Sequence, residues 1–164
     1  MRQQRIKPGP NQESVWDYPR PPRVEASARH IQVVFGGVMI ADTRNSRRVL
    51  ETSHPPVYYI PLEDIKAGCL TPSGRSSFCE WKGRAKYHTV KAGDREAVDA
   101  AWSYPTPEPH FASIKNHVTF YPAMMDDCYV DGESVTKQPG DFYGGWITGD
   151  IVGPFKGGPG TSGW

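Results

Sequence analysis

Ile31-Gln32-Val33-Val34-Phe35-Gly36-Gly37-Val38-Met39-Ile40-Ala41 decides the fold. The first five residues are β-branched or aromatic and partly alternate. Gly36-Gly37 is a hairpin turn signal, and the apolar run then returns. Two antiparallel strands joined by a tight turn follow from this stretch alone.

The pattern continues outward. Arg47-Arg48-Val49-Leu50-Glu51-Thr52 reads as a third strand, and Val57-Tyr58-Tyr59-Ile60-Pro61 as a fourth whose start Pro55-Pro56 fixes. Residues 62–66 read as one helical turn ended by Gly68. Residues 83–90 alternate as a strand, which Ala92-Gly93-Asp94 turns. Residues 94–102 have helical composition. Ala97, Asp99 and Ala101 nevertheless alternate with Val98, Ala100 and Trp102, which favours a strand. Residues 110–115 suggest a helical turn, and 118–121 a strand stopped by Pro122. Residues 128–135 form a hairpin on Asp131-Gly132. The expected class is mainly β, compact and antiparallel, with less than about one fifth helix.

Composition agrees with a loop-rich β domain: 17 Gly and 16 Pro stand among 164 residues. The flanks differ from the centre. Residues 1–29 read as an extended, proline-rich arm carrying Trp16 and Tyr18, and 30–136 as the β domain. Residues 137–164 form a Gly- and aromatic-rich tail that packs on it, by itself or in a homodimer, because large rings are unfavourable in water. Residues 1–48 hold nine Lys/Arg against four Asp/Glu, and the remainder ten against fourteen. The net charge of +1 argues against a general polyanion binder, so no nucleic-acid partner is expected. Met1-Arg2-Gln3-Gln4-Arg5 opens no secretory signal, and no apolar run reaches the ~18 residues of a membrane span. With Cys69, Cys79 and Cys128 odd in number and irregularly spaced, the expectation is free thiols in the cytoplasm.

Three further stretches carry a resemblance: Thr52-Ser53-His54-Pro55-Pro56-Val57-Tyr58-Tyr59-Ile60-Pro61, Cys79-Glu80-Trp81-Lys82-Gly83-Arg84-Ala85-Lys86-Tyr87 and Ala101-Trp102-Ser103-Tyr104-Pro105. In order and spacing they resemble the domain of unknown function family 427 (DUF427), over about Val33 to Val135. Residues 12–19 and 141–164 resemble a longer subgroup with an N-terminal arm and Gly-rich tail. The resemblance implies a β-tent, similar in topology to methionine sulfoxide reductase B, and no established activity. Zinc-bearing proteins of similar fold use paired Cys-x-x-Cys ligands, which this sequence lacks, so neither a metal nor another cofactor is expected.

Residues poorly suited to a dry core fall in the same stretches. His54, Tyr58, Trp81, Lys82, Tyr87, Trp102 and Tyr104 could line one concave face that binds a small planar or anionic molecule. Equally, rings on strands pack cores. Cys79 has Lys82, Arg84 and Lys86 close in sequence, and nearby cations favour a thiolate. A nucleophilic or redox role needs a base, with His54 and His88 the choices, whereas a buried inert thiol needs none. Gly153-Pro154-Phe155-Lys156-Gly157-Gly158-Pro159-Gly160-Thr161 lacks the Gly-Lys-Ser/Thr order of a phosphate loop. Two readings stay open: a ligand-binding β domain, and a thiol-dependent enzyme using Cys79.

Overall fold

Ten strands of four residues or more carry the computed structural model, which describes residues 4–140 and 142–164. Residues 1–3 of the arm and Asp141 at the head of the tail flank lie outside the described residues. The strands are β1 Arg23–Ser27, β2 Ile31–Phe35, β3 Val38–Thr43, β4 Ser46–Leu50, β5 Val57–Pro61, β6 Leu70–Cys79, β7 Gly83–Ala92, β8 Arg95–Ser103, β9 His117–Phe120 and β10 Asp127–Val130. Strand accounts for 46% of the chain and helix for 9%, the latter in short 3-10 turns, so the chain is mainly β. No helix among the described residues is long and apolar enough to cross a membrane.

The large sheet is antiparallel throughout, in the order β1-β4-β5-β9-β8-β7-β6. A second sheet runs Glu133–Ser134, β10, β2, β3, and neither closes on itself. Alternation along β2 buries Ile31, Val33 and Phe35, which meet Ile60, Val90, Val118 and Phe120 from the large sheet. The hairpin turn holds because Gly36 and Gly37 both have positive φ, 60° and 74°. Gly36 also lies against the Ala92 carbonyl, leaving no room for a Cβ.

Two strands depart from the sequence reading. Arg23–Ser27, placed in the arm by composition, is the edge strand of the large sheet and pairs with all of β4. Leu70–Cys79, to which the sequence reading assigned no element, contains Pro72 and Gly74. It forms the opposite edge strand, with its register broken between Pro72 and Ser76. An edge accepts proline because that N–H position faces away from the ladder.

Arm and tail lie on the body. Glu13–Ser14 pairs in parallel with Ile151–Val152, and Trp16 and Trp164 meet edge to face at 5.3 Å. Arg48, on β4, grips both sides. Its Nη1 and Nη2 donate to the Glu13 carboxylate at 3.0 and 2.8 Å, and its Nε donates to Glu25 at 2.6 Å. Tyr18 donates to the same Glu13 at 2.6 Å.

Candidate functional site

The outer face of the large sheet carries a second cluster of rings, away from the core between the sheets. Tyr87 on β7 and Trp102 on β8 are cross-strand partners, so their side chains share a face. Tyr104 follows one residue beyond β8. Tyr59 arrives from β5, with its ring centroid 6.5 Å from Trp102 and 6.3 Å from Tyr104. Tyr121 leans on Trp102 at 4.4 Å.

The hairpin between β6 and β7 supplies the next wall. Cys79 pairs with Gly83, leaving Glu80-Trp81-Lys82 as a three-residue loop. Gly83 has φ 105°, a conformation glycine adopts without strain, and the Lys82 carbonyl accepts the Glu108 N–H at 3.0 Å. The loop tip therefore holds Trp81 and Lys82 over the sheet, with Lys82 Nζ 5.8 Å from the Tyr104 ring centre.

The remaining wall comes from the tail. Thr136–Lys137 and Trp146–Ile147 form a small ladder, and Gly144, between them in sequence, lies against Trp102. A Cβ on Gly144 would stand 2.5 Å from the Trp102 ring, so only glycine allows this approach. Tyr143 meets His54 edge to face at 4.8 Å, and Lys156 Nζ lies 5.7 Å from the Tyr143 ring centre.

The result is a cavity of about 530 Å³. It gathers Cys79, Trp81, Lys82 and Tyr87 with Trp102, Tyr104 and His54. Tyr58, expected from the sequence to line the same face, does not: it faces the core between the sheets and packs on Trp146 at 5.4 Å. Its neighbour Tyr59 points the other way, into the cavity. Phe78 and Phe142, 71% and 68% exposed, stand at the rim.

Four charged side chains line the cavity: Lys82, Lys156, Glu51 and Glu80. Glu51 is held by Arg20 at 3.2 Å and faces His54 Nε2 at 3.5 Å. Lys82 has no carboxylate within salt-bridge distance among the described residues. Lys156 Nζ donates to an oxygen of Trp164, the last residue of the sequence, at 3.3 Å.

His54 is locked rather than poised. Gln138 is buried; its Oε1 accepts the Gly145 N–H at 3.0 Å, and its Nε2 donates to the Lys156 carbonyl at 2.8 Å. Those bonds fix the amide's orientation, so its other N–H is given to His54 Nδ1 at 3.1 Å. Nδ1 is then an acceptor, and the imidazole proton sits on Nε2, toward Glu51. Burial pushes the His54 pKa down to about 4, against the pull of Glu51, so the ring is neutral near pH 7.

Cys79 is half-buried in the cavity wall, while Cys69 and Cys128 are buried and burial raises both of their thiol pKa values. Among the described residues, neither proposed base hydrogen-bonds to Cys79. His54 is engaged as above, and His88 Nε2 pairs with Ser103 Oγ at 2.9 Å. No group of three or more His, Cys, Asp or Glu among the described residues is placed to hold a metal.

Sequence reasoning missed Tyr59, Tyr121, Gln138, Tyr143 and Lys156 as cavity residues. A signal existed for the tail in Phe142-Tyr143-Gly144-Gly145, large rings beside residues that permit close approach.

A family model described as a domain of unknown function, DUF427, matches residues 23–131. The chain belongs to that family. No curated protein matches it.

Proposed function

We propose that this DUF427 protein binds a small molecule with a planar apolar body and an anionic group in the aromatic cavity. The observation that carries this reading is the combination of walls. Rings from the sheet, the β6–β7 loop and the tail enclose one space, which is also lined by Lys156 and by Lys82, the latter without a carboxylate partner among the described residues. A structural core of that size would be filled by side chains, whereas a ligand site keeps the space and a few polar groups. A ligand-detected NMR screen of small planar anions tests it, with Trp81→Ala and Lys82→Ala as site controls. Binding that weakens about tenfold or more in Lys82→Ala supports the reading. Binding indifferent to both substitutions defeats it.

The thiol of Cys79 stands in the same wall, which keeps a thiol-dependent reaction as the second reading. Without a histidine bonded to it, the thiol is better suited to lining the site. Rapid alkylation of Cys79 below neutral pH, with loss of turnover but not of binding in Cys79→Ser, would instead favour the enzyme.

A further inference from the structure

We infer that a second, smaller cavity, of about 390 Å³, binds a neutral amide or lactam. The Asp99 carboxylate accepts the ligand N–H, and the Arg75 guanidinium donates to the ligand carbonyl. This site stands beside the aromatic cavity and does not depend on what fills that space. Tyr121, Gln138, Phe142 and Tyr143 form the wall that the two spaces share.

A break in the sheet delivers Asp99. Strands β7 and β8 pair His88 with Ala101 and Val90 with Ala97, so Thr89 alone stands opposite Val98, Asp99 and Ala100. Ala100 and Ala101 are both buried in the core between the sheets. Strict alternation back from Ala101 would turn Asp99 to that buried face. The bulge redirects it: Asp99 has a φ of 56° and lines the second cavity. Positive φ is unfavourable for a residue with a Cβ, although Asp tolerates it better than most, and such conformations gather at binding sites.

The carboxylate placed there lacks a donor. Its Oδ1 is buried and has no hydrogen-bond partner among the described residues. Its Oδ2 faces Arg75 Nη1 at 3.8 Å, inside ion-pair range but too far for a hydrogen bond. Buried polar atoms are ordinarily bonded, so a donor is missing. The side chain as a whole keeps 25% exposure, which lets a ligand reach it. Arg75 is steadied beside it by lying over the Tyr87 ring, 4.5 Å from its centre.

The charges select the ligand. Arg75 and Lys137 are the cations lining this cavity, and Asp99 is its single carboxylate, among the described residues. An ammonium would pair with Asp99 but be repelled by both cations. A carboxylate would meet both cations but has no proton to give Asp99. An amide edge carries N–H and C=O side by side, one for each partner, and leaves the charge balance unchanged. Val98, Met124 and Phe142, 58%, 38% and 68% exposed, give an apolar ring attached to the amide a surface to cover.

The test is a chemical-shift titration of the full chain with four bicyclic probes: 2-quinolone, N-methyl-2-quinolone, 2-naphthoate and 2-naphthylmethylammonium. The first should shift the backbone amide signals of Val98, Asp99 and Ala100. It should bind there about tenfold or more tighter than its N-methyl derivative, which has lost the donor, and tighter than either ion. Asp99→Gly removes the carboxylate while glycine adopts positive φ freely, and should reduce 2-quinolone affinity to that of the N-methyl probe. Asp99→Asn keeps the shape and loses the charge. It should weaken 2-quinolone by about threefold or more, and it covers the case in which glycine loosens the bulge. Equal binding of the two lactams, preference for either ion, unchanged affinity in either Asp99 variant, or no shift at residues 98–100 overturns the inference. Shifts by 2-naphthoate at Trp81 and Lys82 report on the larger cavity instead, so the two sites stand or fall separately.

Discussion

Gln138 Nε2 donates to His54 Nδ1 at 3.1 Å, although 84 positions separate the two in the chain. Through that bond a residue of the tail sets the tautomer of a histidine in the β4–β5 loop. The same amide also holds Gly145 and Lys156, so it joins three segments at one point of the cavity wall.

The His54 tautomer is directly observable. Long-range nitrogen–proton NMR should show Nε2 protonated and Nδ1 bare at pH 7, with no titration of this ring between pH 8 and about 5.5. A ring that titrates near its ordinary value of 6.5 would contradict the burial described here.

Stability should follow from the same shift. The unfolded chain takes up a proton at His54 from about pH 6.5 downward, while the folded protein resists until about 4. The unfolded state therefore binds more protons in that window. The contribution of His54 is complete above 6.5 and is lost as pH falls toward 4. His88, also lowered by burial, acts in the same direction. Urea midpoints at pH 7 and 4.5 should fall further in wild type than in His54→Gln.

Gln138→Ala leaves His54 Nδ1, the Gly145 N–H and the Lys156 carbonyl without their partner. A buried polar group so orphaned costs about 1–3 kcal/mol. Allowing for water reaching part of the site, the variant should lose about 2–3 kcal/mol in urea unfolding. A loss below about 0.5 kcal/mol would show that the three groups find other partners.

The Arg48 cluster should make the arm acid-labile. Burial alone would raise the Glu13 pKa, but hydrogen bonds from Arg48 and Tyr18 outweigh it and leave the carboxyl below its ordinary 4.5. Asp150 is likewise lowered: burial opposes the shift, and Thr148 and Arg29 drive it. Both carboxylates stabilise the fold above their ordinary values, and that contribution disappears as pH drops through the lowered ones. Exchange of the Trp16 indole N–H, which donates to the Pro154 carbonyl at 2.9 Å, should therefore accelerate below about pH 4. Arg48→Ala should bring the same acceleration at pH 7. It should destabilise by about 2–3 kcal/mol, less than for a fully buried pair because Glu13 and Glu25 keep 38% and 35% side-chain exposure.

Gly36→Ala and Gly37→Ala separate space from strain. Both put an L-residue at positive φ, worth roughly 1–2 kcal/mol. Only Gly36 would also drive a Cβ to 2.2 Å from the Ala92 carbonyl oxygen, whereas nothing lies within 4 Å of Gly37. Gly36→Ala should lower the melting temperature several times more than Gly37→Ala, and equal losses would refute the close approach.

Periodicity made the hairpins legible. Gly36-Gly37, Asp131-Gly132 and the alternation in residues 94–102 each produced the strands they imply. It did not tell Tyr58 from Tyr59. Both faces of β5 are covered, so Val57–Pro61 is buried almost throughout and its pattern carries no orientation. Leu70–Cys79 was hidden because an edge strand tolerates the Pro and Gly that ordinarily mark turns. Gln138, Tyr143 and Lys156 follow an irregular path set by long-range contacts, for which no local period exists. His54 and Lys82 could be picked out by chemical type, as unusual residues for a dry interior.

The family match ends at residue 131, while Gln138, Tyr143, Gly144 and Lys156 all stand beyond it. Most of the cavity is thus framework, and one wall of it is attachment. Gln138, Tyr143, Gly144 and Lys156 form that wall from outside the strands of the large sheet. The shape of that wall can therefore change through residues that the strands of the large sheet do not contain.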